Sequence, residues 1–419
     1  MKIKSLRYLD YWVGRPLCWI LTVAYQIKKT VVRKGPVRDP KKILVIKLWG
    51  IGSIVLALPA MIAIKKKYAG SSIYFLTFKS NEAALSLTGV VPDQNIVTVR
   101  IDGPVNFLSD TVHALFFLIK EKIDVVIDLE FFSRFTSIFS FLIRSKHRIG
   151  FYGFHTEGLR RGNFIDFQVN FNHTLHTSRV FFTLLKPLGI SEEDYSPTLP
   201  KIPPTEGFRK RITELITRDS KHISKGVEQW CVVNPNSSDL ITLRAWPKEH
   251  FAELIALLLD TYDSLGVILI GGNSERPYVE ALRENVLTQE RASRIANLAG
   301  MTTIRDLIDI FYLSDLLISV DSGPAHLASL TDIRSLVLFG PETPALYSPL
   351  GNNAECLYLG LDCQPCVTVY NGKQSHCRNN LCLSRITPGI VFKAARRILE
   401  TPSAGTPPPV QAEGSEWRK

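Results

Sequence analysis

The segment Asp321-Ser322-Gly323-Pro324-Ala325-His326 follows the apolar run Leu316–Val320. A buried strand that ends in Asp-Ser-Gly, with Pro324 at a first helical position, opens a helix toward whatever lies beyond the strand. The free N–H groups and positive dipole end of such a helix suit a diphosphate. His326, on the first turn, would reach the same anion. The alternative reading has Asp321 capping the helix and His326 satisfied in the core. Two more polar loops follow apolar strands. Asn236, Ser237 and Ser238, just after Trp230–Asn234, can hydrogen-bond phosphate oxygens, and Arg244 can bind one bidentately. Gly271-Gly272-Asn273-Ser274-Glu275 would hold a ribose through Glu275, or is a glycine-rich turn with Glu275 in a helical first turn.

Near the other end of the chain, Gly50-Ile51-Gly52-Ser53 lies between the strand-like run Ile43–Lys47 and an apolar helical stretch, Ile54–Lys67. The loop lets a phosphate or substrate approach the backbone, or is a tight turn with Ser53 as helix N-cap. It lacks the third glycine of a dinucleotide fingerprint, and no acidic residue ends Ile73–Thr77, which argues against an NAD-type oxidoreductase. Lys47, ending the first strand, either assists with acceptor or phosphate charge or is solvated. Cys363, Cys366, Cys377 and Cys382 have spacing compatible with zinc or an iron–sulfur centre. Cys356 makes a fifth thiol where four would suffice, and the other reading is a loop of reduced thiols.

These residues sit on alternating strands and helices. Strands are expected at Ile43–Lys47, Ile73–Thr77, Ile96–Val99 and Val125–Asp128, with helices at Ile54–Lys67, Phe107–Glu121 and Phe132–Arg144. The second half repeats the pattern, with strands at Trp230–Asn234, Val267–Ile270, Leu316–Val320 and Ser335–Phe339. Its expected helices are Lys248–Tyr262, Glu275–Leu287, Thr303–Leu313 and Pro388–Glu400. Short β-branched runs separated by helices predict parallel sheets covered on both faces. The expected organisation is an N-terminal segment over 1–40, a Rossmann-like domain over 41–195, a Pro- and charge-rich linker over 196–228, a second Rossmann-like domain over 229–400, and a disordered tail over 401–419. Two such α/β domains would place a ligand cleft between the carboxyl ends of two sheets.

The formal net charge of the 419-residue chain is +11, but its distribution is uneven. Residues 1–40 carry nine Lys and Arg against two Asp, a net of +7, so the other 379 residues hold only +4. A protein tracking nucleic-acid phosphates would spread its basic residues over the folded body, so no nucleic acid partner is implied. In the N-terminal segment Tyr8, Tyr11, Trp12, Trp19 and Tyr25 interleave with the basic residues, as in helices lying in a headgroup layer. No stretch reaches the ~18–20 apolar residues that span a bilayer. The expected location is cytoplasmic and peripheral, on the inner face of a membrane with an anionic surface. Removing residues 1–40 is then expected to release the protein without unfolding it. The alternative is an extra helix packed on the first domain.

The chain resembles glycosyltransferase family 9, the heptosyltransferase-like enzymes of the lipopolysaccharide inner core. The resemblance runs over residues 41–400 and is carried by ILVIKLWGIGS at 43–53, VVIDLEFFSR at 125–134 and KHRIGF at 146–151. It continues through NPNSS at 234–238, RAWP at 244–247, the 297–328 stretch ending in SVDSGPAHLA, and LFGPETP at 338–344. It implies a type B glycosyltransferase architecture, two Rossmann-like doubly wound parallel-sheet domains facing a cleft. The implied reaction is inverting and needs no metal or other cofactor, with a nucleotide diphosphate sugar such as ADP-heptose as donor. A lipid-linked or core oligosaccharide would be the acceptor. Asp321, Ser322, Gly323 and His326 would hold the donor's nucleotide diphosphate, and Arg244 stands where the family usually has a phosphate-binding Lys. Asn236, Ser237 and Ser238 would line the same pocket, with Glu275 near the ribose. The family usually has Gly-Asp in the first loop, its Asp serving as general base; here the position is Ser53, which cannot take that proton effectively at neutral pH. Glu130, and then Asp128, at a neighbouring strand end, are the candidate replacements. The other reading is a catalytically silent relative that binds nucleotide sugar or glycan.

Overall fold

In a computed structural model the described residues are 3–31, 35–131, 133–152, 161–220, 226–237, 241–288 and 290–401. They form two compact units that divide between Pro197 and Thr198. Ser238 and the tail beyond Thr401 lie outside the described residues.

The first unit runs α1 (Ile3–Trp12), α2 (Gly14–Val31), β1 (Lys42–Ile46), α3 (Ile51–Lys67), β2 (Ser72–Phe78), α4 (Glu82–Leu87) and β3 (Ile96–Val99). It continues through α5 (Pro104–Glu121), β4 (Val125–Asp128), α6 (Arg134–Leu142), β5 (His147–Tyr152), β6 (Phe167–Asn170) and α7 (Thr177–Thr183). Its strands form one parallel sheet in the order β3-β2-β1-β4-β5-β6. Because β1 has neighbours on both sides and helices on both faces, its apolar residues need not alternate, and Ile43 to Ile46 are all buried. On one face Leu44, Ile46 and Val126 pack against Ala114 and Leu118 of α5, Phe139 of α6 and Ile143 just after it.

The second unit contains α8 (Phe208–Asp219), β7 (Gln229–Asn234), α9 (Lys248–Thr261), β8 (Leu265–Leu269), α10 (Arg276–Val286), β9 (Ile295–Asn297), α11 (Ile304–Leu313) and β10 (Leu316–Val320). Then come α12 (Gly323–Ala328), β11 (Arg334–Leu338), α13 (Pro344–Tyr347), β12 (Ala354–Leu357), α14 (Leu381–Ser384) and α15 (Pro388–Glu400). The sheet is again parallel, β12-β11-β10-β7-β8-β9. In each unit the strand order reverses beside the first strand, between β1 and β4 and between β7 and β10. Crevices at the carboxyl ends of such strand pairs are where doubly wound sheets bind ligands.

Several expectations are corrected. Within the 196–228 stretch expected as a linker, residues 208–219 fold as α8. Its Ile212 and Ile216 are buried, and Arg211 pairs with Asp306 at 3.1 Å and with the fully buried Asp309. Nor are residues 1–40 a detachable segment. Cys18 and Tyr25 are buried against Phe164, with Leu21, Ile138 and Phe141 around them. Tyr25 Oη donates to Asp166 at 2.6 Å, and Asp10 accepts from the Phe135 N–H at 2.8 Å and from Arg134 at 3.1 Å. Removing the segment would uncover this apolar seam, so clean release without unfolding does not follow. β5, β6, β9 and β12 also form, though no strand was expected there.

Candidate active site

The second unit gathers most of the residues singled out for donor binding at the β7–β10 switch point. Asn234, ending β7, donates from Nδ2 to Ser322 Oγ at 2.8 Å and Ser319 Oγ at 3.1 Å, which fixes the loop after β10. Asn236 donates to the Ile270 carbonyl at 2.9 Å, tying in the loop after β8. Gly271 makes room for this contact, since a Cβ there would stand 2.6 Å from Asn236 Nδ2. Ser237 is partly exposed beside it.

Asp321 lies just beyond β10, buried, with Arg244 against it. Arg244 Nε is 3.3 Å from Asp321 Oδ2, and its NH1 donates to the Asp321 carbonyl at 3.2 Å. The same guanidinium also pairs with the buried carboxylate of Glu342. His326 Nε2 is 3.8 Å from Asp321 Oδ1, while its buried Nδ1 has no hydrogen-bond partner among the described residues. Burial works against the charge on Asp321, but Arg244 and His326 outweigh it and hold the carboxyl below its usual range. Ser322, not Asp321, is the N-cap residue of the short α12 that carries Gly323 and His326, and its side chain makes no cap bond, so the capping alternative for Asp321 is not realised. Glu275 turns back on its own loop, accepting from the Gly272 N–H at 2.6 Å.

Two residues of this cluster escaped the sequence reading. Glu342 follows β11 within the quoted LFGPETP, and a buried acid after a strand end was its available signal. Lys373 gave none. It reaches Glu342 from the cysteine-rich loop, Nζ to Oε1 2.8 Å, with its ammonium 4.3 Å from the centre of the Tyr347 ring. That loop is pinned nearby through the Cys366 and Val367 N–H groups, both 3.0 Å from the Pro341 carbonyl. Two cations and an imidazole thus surround two buried carboxylates, an arrangement that can exchange an internal anion for a phosphate.

Cys363, Cys366 and Cys377 lie near enough to Cys382 for their charges to add to burial in raising its thiol. Cys363 and Cys377 are exposed, Cys356 and Cys366 half-buried and Cys382 buried, all as free thiols. Among the described residues no three His, Cys, Asp or Glu side chains converge to hold a metal ion.

The first unit places Lys47, Asp128 and Glu130 at its own switch point, at the ends of β1 and β4. Lys47 Nζ donates to Glu130 Oε1 at 2.7 Å, and both side chains are buried. The same oxygen accepts the Leu48 N–H at 2.7 Å and the Trp49 N–H at 3.1 Å. All three of these bonds are to Oε1, and Oε2 of Glu130 has no hydrogen bond to a described residue. Asp128 is fully engaged instead: one oxygen accepts the Glu130 N–H at 3.0 Å and the other pairs with Arg161. Arg161, absent from the sequence reading, also donates to the carbonyls of Glu130 at 2.6 Å and Ser133 at 3.1 Å. Ser53 lies inside the first turn of α3, whose N-cap is Gly50 at φ 82°, so Ser53 is not the cap. No described carboxylate or imidazole hydrogen-bonds to it.

Parallel α/β units of this kind recur in solved glycosyltransferases of the type B fold. The family 9 enzyme of Veillonella parvula matches 87% of this chain and 99% of its own, with TM-score 0.65 and 20% identity. The E. coli ADP-heptose lps heptosyltransferase II matches 85% and 98%, with TM-score 0.66 and 19% identity. Residues 112–375 match the sequence profile of glycosyltransferase family 9 (heptosyltransferase), and the chain belongs to that family. Lipooligosaccharide heptosyltransferase 2 of Campylobacter jejuni is 27% identical over 169 residues, 40% of this chain and 50% of the relative. The chain thus spans about half the length of that curated relative.

Proposed function

We propose that this protein transfers a heptosyl residue from an ADP-heptose-type donor to a lipopolysaccharide-core or other lipid-linked acceptor. The transfer inverts the anomeric centre and uses no metal. Asp321, Ser322, Gly323, His326, Asn236, Ser237 and Ser238 hold the donor, Arg244 takes a phosphate and Glu275 lies near the ribose. The observation that carries this reading is the buried Arg244–Asp321–His326 cluster at a switch point, in a chain of family 9. A diphosphate leaving group needs positive charge and N–H donors where its own charge develops, and Arg244, Lys373 and the Ser322–His326 segment offer them. Glu130 is the general base, acting through Oε2 while Lys47 and two backbone N–H groups hold Oε1. The enzyme works on the cytoplasmic face of the inner membrane, where a lipid-linked acceptor is found.

The test is direct. Purified protein is incubated with ADP-heptose and truncated core acceptors, and released ADP and extended acceptor are measured. Transfer that Glu130→Gln abolishes, with ADP binding retained, supports the assignment. Ser53, with no base beside it among the described residues, favours a second reading, a silent relative that only binds nucleotide sugar. Donor-dependent thermal stabilisation without transfer to any acceptor, and without rescue by Ser53→Asp, would establish that reading instead.

A further inference from the structure

The first unit carries an apolar surface that neither proposed binding site uses. In α5 the residues Val105, Leu108, Val112 and Phe116 follow a three–four spacing that places them on one face, opposite Ala114 and Leu118, which pack on the sheet. That outer face is open to solvent: Val105 is 78% exposed, Leu108 63% and Phe116 67%. α2 repeats the arrangement. Gly14, Cys18, Leu21 and Tyr25 face the protein, while Trp19, Ile20, Val23 and Ile27 project from the other side, Trp19 at 70% exposure. Tyr8 and Trp12 of α1 are similarly exposed. α6 lies between these helices, touching α5 through Phe135 on Phe107 (ring centres 5.4 Å apart) and α2 through Phe141 on Tyr25 (6.5 Å). Leu142 of α6 adds a further exposed apolar side chain. Scattered apolar residues on a surface are ordinary, but a run of this size across neighbouring helices marks an interaction face.

Charge decides what the face fits. Three of its acidic groups are paired, Asp10 with Arg134, Asp110 with Arg100 and Glu121 with Lys42, and the exposed Asp102 before α5 accepts from Asn106 at 3.0 Å. Arg15, Lys120, Lys122 and Arg144 stay exposed, and the sequence places Lys28 and Lys29 near the end of α2. An apolar face rich in Trp and Tyr, rimmed by unneutralised cations, matches the headgroup layer of an anionic bilayer. No helix among the described residues is long and apolar enough to cross a membrane, so the helices would lie in the interface.

We propose that α1, α2 and α5 form one docking face that seats the folded first unit on an anionic lipid surface. This rests on the membrane-surface location proposed above and sharpens it. The N-terminal helices are part of a rigid platform, and α5, within the body of the unit, shares the contact.

Flotation of the full chain with vesicles of phosphatidylethanolamine and phosphatidylglycerol tests this, with phosphatidylcholine vesicles beside them. Two paired variants, Leu108→Ser with Phe116→Ser and Trp12→Ser with Trp19→Ser, alter exposed side chains only, and an unchanged melting temperature verifies that they fold. Each pair is expected to lower partitioning by about tenfold or more, as loss of two large buried apolar groups requires. Binding to the neutral vesicles should be weaker than to the anionic ones. If the α5 pair floats like the wild type while the Trp pair is released, the platform is refuted and the membrane location stands. If the wild type itself stays at the bottom of the gradient, both fall. If vesicles bind nothing and the same variants dissolve a dimer seen by sedimentation, the face seats a second copy of the chain and the proposal is overturned.

Discussion

Arg244 grips Asp321 at two points, its Nε 3.3 Å from the carboxylate and its NH1 3.2 Å from the carbonyl, while also pairing with Glu342. A single guanidinium therefore faces two buried carboxylates, with Lys373 supplying a second positive charge at Glu342. Arg244→Met would leave both without the guanidinium, and breaking a buried pair in this way costs about 3–5 kcal/mol. Urea denaturation should show that loss. ADP affinity, followed by calorimetry, should fall by about 10–100-fold, the equivalent of one charge-assisted phosphate contact. Arg244→Lys should recover part of each, because a lysine keeps the charge without the planar fork. Wild-type ADP affinity in Arg244→Met would remove the phosphate assignment.

The same pair gives a pH dependence whose sign can be worked out. The folded state holds the Asp321 carboxyl below its usual range, so the ionised form is favoured by folding. Its contribution is fully present above the unfolded carboxyl pKa of about 3.9 and is lost as pH falls through the lower folded value. Asp321→Asn should therefore flatten the acid limb of a melting-temperature profile. Removing Arg244 should move that limb upward instead, because burial then acts on Asp321 with less opposition. Identical acid limbs in the wild type and Asp321→Asn would show that Asp321 is not held ionised.

Lys47 and Glu130 form the corresponding buried pair of the first unit, and they separate base chemistry from scaffolding. Glu130→Gln keeps the shape and can still accept the Leu48 and Trp49 N–H groups through its carbonyl oxygen. It should lower kcat by about 10²–10⁴-fold, the usual contribution of a general base, with ADP affinity unchanged. Lys47→Met leaves a buried carboxylate short of its cation and should destabilise the fold as well as slow transfer. A Glu130→Gln enzyme that retains wild-type turnover would transfer the base role elsewhere.

Much of this architecture could be read from the chain because its central strands are uninterrupted apolar runs with polar ends. β3, β4, β10 and α15 begin and end at the expected residues. The unexpected strands have local reasons to be obscure. β5 contains Arg148, whose guanidinium is paired with Asp166 inside the fold, 3.1 Å from its carboxylate, so a core strand reads as a charged loop. β6 and β12 lie at sheet edges and are only partly buried. α8 was hidden by the Pro- and charge-rich sequence before it and by its own charged outer face. At the site, Asp321, Arg244 and His326 were visible because each stands in a quoted motif. Lys373 was not, since its partner is 31 residues away and only folding brings the two together.

The cysteines offer a final test, in which exposure and acidity rank the thiols. Cys363 and Cys377 are exposed, whereas burial pushes Cys382 up to about 11, Cys356 to about 12 and Cys18 to about 11. The attacking species is the thiolate, so these three are almost entirely in the unreactive form at pH 8. Iodoacetamide at that pH should modify Cys363 and Cys377 first, with Cys382, Cys356 and Cys18 labelled only on unfolding, as peptide mass spectrometry would show. The spacing of Cys363, Cys366, Cys377 and Cys382 in the sequence makes the opposite prediction. Thiolates on zinc or iron would be shielded together, and a chelator would expose all four at once. Rapid labelling of Cys363 and Cys377 in protein purified without oxygen, unaffected by chelator, would therefore rule out the metal site suggested by spacing.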